Sequence, residues 1–417
     1  MKKKLGVFVL LSSTVLISAC GNGGSSGEGS SDETIEFLVS GDDVEGNAMS
    51  NMAEKYNEEM DANVEVVEVP YEDMDTRVTN MVRDGDPPEL IRTAGFSPLW
   101  NDQLLDLGEI GNERNVDESL FIETDNEVKA LPLDLTAVGM YINKDLFDEA
   151  GVEYPTSEED VWTWEEFTSS VNEVTENTEG EYGFVMDQSE HRLLTMLYQF
   201  GSQGITPNDN GEYEVNQETI EGLEYFVDLN NDGTMPKNVW TSGENATSMF
   251  KSGRVAAYMS GNWQLQDFSE NVNNFEWQSV YMPQEETRAT NLGGNYITAF
   301  DGTGNEEATQ DFISWLYEKE NHEEMANYGG YLPVVEDAEV DYEFANESFE
   351  IYQNEIDASA DVSSYMKREI DTKQLTAEGN AQDVLREEVI GVLNNDQSIE
   401  DAIETTTETY TEVYGNN

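Results

Sequence analysis

The sequence predicts an α/β protein, and two patterns in its first hundred residues carry that prediction. Short runs rich in β-branched residues alternate with segments whose apolar residues recur at helical spacing. Glycine, proline and aspartate interrupt the pattern, and these residues favour turns and chain reversals. With 417 residues, the chain is long enough to form two or three domain-sized cores.

The first elements follow one another in a regular order. Strands are predicted over 34–39, 64–69 and 89–93, because these runs combine β-branched residues with turn residues at their ends. The segments 47–60 and 71–82 between them carry apolar residues at helical spacing. Strands that alternate with helices in this way indicate a mainly parallel sheet.

Ligands bind such sheets beyond the carboxyl ends of their strands. Loops 40–43, 70–72 and 94–97 are therefore the first candidates for ligand contacts. Asp43 and Glu72 follow predicted strand ends and offer carboxylates to the hydroxyl groups of a ligand. The alternative is that both belong to a solvated acidic surface.

Later segments continue the α/β pattern. Residues 130–143 form a long extended stretch, which is either a core strand or a segment that crosses between two lobes. A short helix over 144–150 ends at glycine, and Thr163 with Glu166 forms a capping box for the next helix. The region 380–414 is predicted to be helical.

The N-terminus predicts export and membrane attachment. Three lysines precede an apolar run over 5–17, which is too short to span a bilayer comfortably. Small residues then lead to Cys20, the single cysteine of the chain. The pattern resembles a bacterial lipoprotein signal over 1–20, in which the cysteine is lipidated. The Gly/Ser-rich segment 21–32 is then a flexible tether at the outer face of a cell membrane. The alternative is an ordinary secretory peptide with an incidental cysteine.

Charge restricts the environment and the partners. Acidic residues number 88 against 20 basic ones, for a formal net charge of -68, yet 37% of residues are hydrophobic. A folded protein with an acidic surface fits this composition better than a disordered chain. Because salt screens self-repulsion, we infer adaptation to a salty environment; the alternative is a merely acidic extracellular protein. Nucleic acid is excluded as a partner, because no basic stripe is present to neutralise phosphates.

Residues for catalysis or metal binding are scarce. His191 and His322 lie far apart, and with one cysteine they cannot build a zinc-type cluster. The sequence lacks a phosphate-binding loop and a Gly-x-Ser-x-Gly elbow. We therefore predict neither an enzyme nor a bound cofactor or metal.

Several short sequence segments, taken together, resemble a known protein family. Their order and spacing are similar to those of the extracellular solute-binding proteins of ABC sugar importers (family 1), which include the maltose-binding proteins. The blocks are the lipoprotein start, 131–147, 162–167, 253–263, 293–295 and 328–333.

The resemblance implies a two-lobed periplasmic-binding-protein-like fold (type II), in which hinged α/β lobes close on a ligand. It implies crossover segments near 135–138, 291–294 and 333–337. It also implies a monomer that delivers its ligand to a membrane permease. The implied division is an N-terminal lobe of 33–136 plus 293–334 and a C-terminal lobe of 137–292 plus 335–417.

Sugars combine apolar faces with a rim of hydroxyls, so their sites need aromatic rings and a few polar groups. Trp263 after Gly261-Asn262 is the first candidate, since the family has a stacking tryptophan in this block; the alternative is a core tryptophan. Tyr331, which follows Gly329-Gly330, is the second aromatic candidate. The polar and backbone candidates are Asp43, Glu72, Asp134, Asn262, Gly294, Asn295 and Arg368.

Some of these candidates have specific alternatives. Asn295 is either a ligand contact or a turn residue, and Asp134 is either a hydroxyl acceptor or a hinge residue. Arg368 either reaches the cleft or pairs with the acidic surface.

The predicted function is capture of an extracellular carbohydrate for an importer. One alternative is a binding protein for a polyol, an osmolyte or a quaternary ammonium compound, which aromatic rings also suit. Others are a surface glycoside hydrolase and a structural adhesion lipoprotein.

Overall fold

The computed structural model describes residues 34–42, 45–377 and 379–415, so the predicted signal, Cys20 and the tether lie outside the described residues. Its strands form one large mixed sheet and a separate two-stranded hairpin. The strands are β1 (Ile35–Val39), β2 (Val64–Glu68), β3 (Leu90–Thr93), β4 (Ile122–Thr124), β5 (Glu127–Asn143), β6 (Tyr182–Met186), β7 (Thr206–Pro207), β8 (Tyr213–Glu214), β9 (Val255–Gly261), β10 (Trp277–Val280) and β11 (Leu292–Ala299).

Helices cover both faces of this sheet. In chain order they are α1 (Ala48–Met60), α2 (Met74–Asp84), α3 (Gly108–Glu113), α4 (Lys144–Ala150), α5 (Trp164–Asn177), α6 (Glu190–Gln199), α7 (Gln217–Asn231), α8 (Lys237–Ser242), α9 (Ala246–Lys251), α10 (Leu265–Asn271), α11 (Glu306–Leu316), α12 (Lys319–Gly329), α13 (Asn346–Asp357), α14 (Val362–Thr376), α15 (Val384–Leu393) and α16 (Ile399–Tyr414).

The first lobe is the sheet β2-β1-β3-β11 together with the first half of β5. β1 pairs in parallel with both β2 and β3, which confirms the predicted parallel arrangement of the first three strands. β11 then inserts antiparallel between β3 and β5, so the sheet is mixed rather than mainly parallel. Phe37, Leu90 and Ile297 lie in the buried core of this lobe.

β5 is the segment that joins the two lobes. Its residues up to Ala137 pair with β11, and from Val138 onward they pair with β9. The change of partner therefore falls between adjacent residues. The long extended stretch predicted from the sequence is thus both a core strand and a crossing segment.

The second lobe contains the second half of β5 with β6, β9 and β10. β6 is parallel to β9, and β10 pairs antiparallel with the end of β5. A large aromatic core fills this lobe, with Trp164, Phe184 and Trp240 fully buried. Helix α5 begins at the predicted capping box, in which Thr163 and Glu166 cap each other reciprocally.

The end of the chain contacts both lobes. Val335 packs in the first-lobe core, whereas Tyr342 packs in the second-lobe core. Helix α14 then places Leu375 against the first lobe and Met366 against Tyr198 of the second. This helix therefore bridges the lobes beside their crossover segments.

Candidate functional site

The carboxyl ends of the parallel strands in both lobes face the crossover segments. In the first lobe, the last residue of β3, Thr93, pairs with Tyr296 near the start of β11. In the second lobe, the last residue of β9, Gly261, pairs with Val138, where β5 changes partner. The loops after these strands therefore meet at the boundary between the lobes, the position that open α/β sheets use for ligands.

A buried ion cluster lies beneath the first-lobe side of this boundary. The Arg92 guanidinium donates to Asp134 Oδ2 from Nε and Nη2, at 3.1 and 2.9 Å. Its Nη1 donates to Glu45 Oε2 at 2.7 Å and to the Ser40 carbonyl at 3.0 Å. The Tyr331 ring lies 5.0 Å from the Arg92 guanidinium carbon, and the Tyr331 hydroxyl donates to Glu45. Buried charges are tolerated in this way because each has a hydrogen-bonded partner.

The two carboxylates of the cluster compete for one guanidinium. Burial raises the pKa of Glu45 to about 7, the nearby Asp134 charge adds to the rise, and Arg92 opposes it. The cluster joins the loop after β1 to β3, β5 and the segment after α12.

Three predicted ligand contacts are buried inside the protein. Tyr331 has no exposed surface, and Asp134 is 1% exposed and bonded to Arg92. Asn262 is also fully buried, where its Oδ1 accepts from Ala137 N–H and its Nδ2 donates to the Gly330 carbonyl, each at 2.8 Å. In this arrangement the side chains of these residues contact the crossover segments and do not face solvent.

Gly294, Asn295 and Arg368 come together at a small cavity beside the crossover. Asn295 donates to Asp134 from its backbone N–H and from its side chain, at 3.1 and 3.2 Å. A Cβ on Gly294 would approach the Asp134 carbonyl oxygen to 2.2 Å, so only glycine permits this contact. Arg368 donates to the Ser119 carbonyl of the first lobe, so it bridges from α14 across the boundary.

Trp263 lies at the second-lobe side of the boundary and is partly buried. Its six-membered ring packs against Gly261, where an added Cβ would clash at 1.9 Å. The guanidinium carbon of Arg192 lies 4.5 Å from the Trp263 ring centroid. Arg192 is fixed by Asp187 at 3.2 Å and by Ser189 Oγ at 3.0 Å. Trp263 thus supports the Arg192 guanidinium at this boundary.

Tyr71 is the aromatic residue that sequence reasoning missed. It follows β2 in a 3-10 turn over Tyr71–Asp73 and is 61% exposed. Desolvation by the surrounding protein raises its pKa; the Asp383 carboxylate adds to the rise, and Arg192 lowers it. Its hydroxyl therefore lies within the electrostatic reach of second-lobe residues. The signal was available, because Tyr71 stands in the predicted contact loop directly before Glu72.

A second cavity lies between α6 and α14 and is lined by Glu190, His191, Asn291 and Gln374, among others. Its volume of about 30 Å³ is far below the roughly 300–1,000 Å³ of ligand pockets. Burial raises the pKa of Glu190 to about 8, and Asp383 adds to the rise. A sugar can occupy this region only if the walls of the cavity move apart.

Two predicted acidic contacts cannot be placed. Asp43 lies outside the described residues, as does the side chain of Glu72. The neighbouring Asp42 is buried and accepts hydrogen bonds from Met49 N–H and Ser50 N–H, at 2.7 and 3.1 Å. That carboxylate therefore stabilises the start of α1.

In the described part of the chain, no three His, Cys, Asp or Glu side chains are arranged to hold a metal ion. None of the described helices is both long and apolar enough to cross a bilayer.

Known proteins share this architecture. Residues 51–349 match the model of a family described as bacterial extracellular solute-binding protein. A galactooligosaccharide-binding protein of Bacillus subtilis is 26% identical over 365 residues, which cover 80% of this chain and 81% of that relative. A putative binding protein of Brucella abortus is 24% identical over 237 residues, or 53% of this chain, and the match spans only about half (56%) of that relative.

Solved structures agree at the level of fold. An ABC substrate-binding protein from Listeria monocytogenes, determined in complex with cycloalternan, superposes with a TM-score of 0.73 at 19% identity. The alignment covers 91% of this chain and 98% of the Listeria chain. The arrangement of two lobes around shared crossover strands is therefore the one seen in such binding proteins.

Proposed function

The chain belongs to the bacterial extracellular solute-binding protein family, and from that premise we propose that it captures a carbohydrate between its two lobes. One observation carries the proposal: an aromatic side chain follows a strand end in each lobe, the exposed Tyr71 after β2 and Trp263, stacked with Arg192, after β9. Aromatic rings and fixed polar donors on two facing walls suit the apolar faces and hydroxyl rims of sugars. The galactooligosaccharide-binding protein of Bacillus subtilis and the Listeria monocytogenes protein in complex with cycloalternan support the same ligand class.

The proposed ligand-facing residues are those that reach the boundary between the lobes. Tyr71, Trp263, Asn295 and Arg368 form this set, together with Gly294, whose backbone approaches the crossover. Asp43 and Glu72 remain proposed contacts from the loops after β1 and β2. Asp134, Asn262 and Tyr331 would act one layer below, by fixing the crossover segments.

The proposed division of the chain is the one expected from the sequence. The first lobe would contain 33–136 plus 293–334, and the second 137–292 plus 335–417. Helix α14, which contacts both lobes, would then keep its second-lobe contacts while its first-lobe contacts break on opening.

We further propose that lipidated Cys20 holds this solute trap beside an ABC permease, through the tether over 21–32. A cysteine at the end of the apolar run supports the anchor. The net charge of -68 supports adaptation to high salt, in which a short Debye length limits self-repulsion. Replacement of Cys20 by serine would then release the protein from membranes into the medium. Retention of that variant on membranes would refute the anchor.

A ligand screen tests the main proposal. The mature chain, kept in molar NaCl, would be melted with a panel of mono- and oligosaccharides, and with polyols and betaine as non-sugar controls. A ligand that binds only the folded state raises the melting temperature as its concentration exceeds Kd. We expect at least one saccharide to stabilise the protein with a one-to-one calorimetric stoichiometry and to be recovered intact. Stabilisation by a non-sugar alone would refute carbohydrate capture.

A further inference from the structure

Arg192 holds its guanidinium in a fixed plane at the boundary between the lobes. Asp187 and Ser189 bind its two terminal nitrogens, and Trp263 supports its face. Its side chain is only 15% exposed. An arginine that is held on two sides in this way loses little further freedom when it binds a ligand.

The third nitrogen of Arg192 has no such partner. Within the described residues, its buried Nε–H finds no hydrogen-bond acceptor, and the same is true of the Nε–H of Arg386. Arg386 pairs instead through its terminal nitrogens, with Asp383 at 3.2 Å and with Glu387 at 3.8 Å. An unmet buried donor costs about 1–3 kcal/mol. The two donors lie in one region, because the Arg386 backbone N–H donates to the carboxylate of Glu190, which is in α6 with Arg192, at 3.4 Å.

Both arginines act on the same exposed side chain. Burial raises the pKa of Tyr71, the Asp383 and Asp371 carboxylates add to the rise, and Arg192 and Arg386 each lower it. The nearby Glu190 carries little negative charge at pH 7, because burial raises its pKa to about 8.

We infer that Arg192, assisted by Arg386, is a specificity-determining residue that binds the carboxylate of an acidic sugar, such as a uronic acid unit. The inference rests on the proposed carbohydrate function. A carboxylate offers several lone pairs to unmet N–H donors, and charge-assisted bonds of this kind are about twice as strong as neutral ones. A neutral sugar would satisfy the same donors only with weaker acceptors.

Pairs of sugars that differ only in a carboxylate test the preference for acidic sugars separately from sugar binding itself. Digalacturonate and galactobiose differ in the carboxylate at C6, and glucuronate- and mannuronate-containing disaccharides provide two more pairs with their neutral counterparts. Affinities would be measured by calorimetry on the mature chain in molar NaCl, where long-range repulsion of anions is screened. We expect the acidic member of at least one pair to bind 10-fold tighter or more.

Substitutions of Arg192 then show whether this residue causes the preference for acidic sugars. Arg192→Gln should weaken binding of the acidic sugar about 10- to 100-fold, the range expected for loss of charged hydrogen bonds, and change binding of its neutral counterpart less than 3-fold. Arg192→Lys should restore little, because lysine lacks the fork geometry of arginine. Arg254→Gln removes a surface arginine that pairs with Glu181 and Glu244, and it should leave both affinities unchanged.

The outcomes are distinct. Tighter binding of neutral sugars, or an equal effect of Arg192→Gln on both members of a pair, would overturn the inference and leave carbohydrate capture intact. A chain that binds no sugar at all would refute the proposed function and this inference with it. Urea unfolding of each variant would show whether a lost affinity reflects a lost fold.

Discussion

Replacement of Glu190 by glutamine should remove part of the pH dependence of stability. Glu190 is 7% exposed, and burial raises its pKa from 4.5 to about 8. The folded state therefore keeps a proton between pH 4.5 and 8 that the unfolded state has lost. In this window the stability falls as the pH rises, by about 1.4 kcal/mol for each pH unit. Over the whole window the loss is on the order of 4–5 kcal/mol.

Glutamine resembles the protonated carboxyl group and stays neutral at every pH. We therefore expect Glu190→Gln to be close to wild type near pH 4.5 and more stable by about 4 kcal/mol at pH 8 and above. Urea unfolding at successive pH values in molar NaCl would measure the difference. Glu165→Gln is the matched control, since Glu165 is an exposed carboxylate in the first turn of α5. Wild type and Glu190→Gln curves that run parallel from pH 5 to 9 would refute the reasoning.

Four further predictions concern the fold and the site. Asp134→Ala leaves the buried Arg92 guanidinium without its main partner and should cost about 3–5 kcal/mol in urea unfolding; a loss below 1 kcal/mol would contradict the ion cluster. Tyr71→Ala should weaken the best sugar ligand about 5- to 30-fold by calorimetry while leaving the melting temperature unchanged, since the ring is exposed. Met60→Ala, at another exposed apolar side chain, is its control, and an unchanged affinity of Tyr71→Ala would exclude that ring from the site. Gly294→Ala should lower the melting temperature, because its Cβ would lie 2.2 Å from the Asp134 carbonyl oxygen; a wild-type melting temperature would show that the crossover tolerates the methyl group. Lowering NaCl from 1 M to 0.1 M lengthens the Debye length from about 3 to 10 Å and should lower the melting temperature, whereas a salt-independent value would argue against adaptation to salt.

Strands and helix caps were predicted correctly where all the residues that signal them lie close together in the sequence. The runs that became β1, β2 and β3 carry their own β-branched residues and turn residues, and the Thr163 capping box needs only four consecutive residues. The insertion of β11 between β3 and β5 depends on residues about 200 positions apart in sequence. No local pattern carries that information, so the sheet was expected to be mainly parallel.

The predicted site residues differ in how deeply they are buried, and the buried ones contact other protein groups. Asp134 and Tyr331 were chosen for chemistry that suits a sugar, yet the structure uses the same chemistry to satisfy buried Arg92. One signal was available, because Arg92 is the single charged residue in a strand that is buried throughout. A charged residue in such a strand needs a carboxylate partner, and that requirement removes an acidic residue from the list of ligand contacts.

Arg192 could not be recognised from sequence alone. It stands in α6 next to His191, and only the packing of this helix against the loop after β9 brings it over Trp263. Its unpaired Nε–H likewise depends on what surrounds it in the folded chain. The sequence alone therefore pointed to Trp263, whereas the position of the Arg192 guanidinium over its ring is known only from the fold.

A crystal structure of the mature chain with the best-binding saccharide would test the central claim most directly. We expect electron density for one sugar chain enclosed between the lobes, in contact with Tyr71 on one side and with Arg192 or Trp263 on the other. A saccharide bound only on the outer surface, such as the open groove lined by Tyr154 and Pro155, would contradict the account.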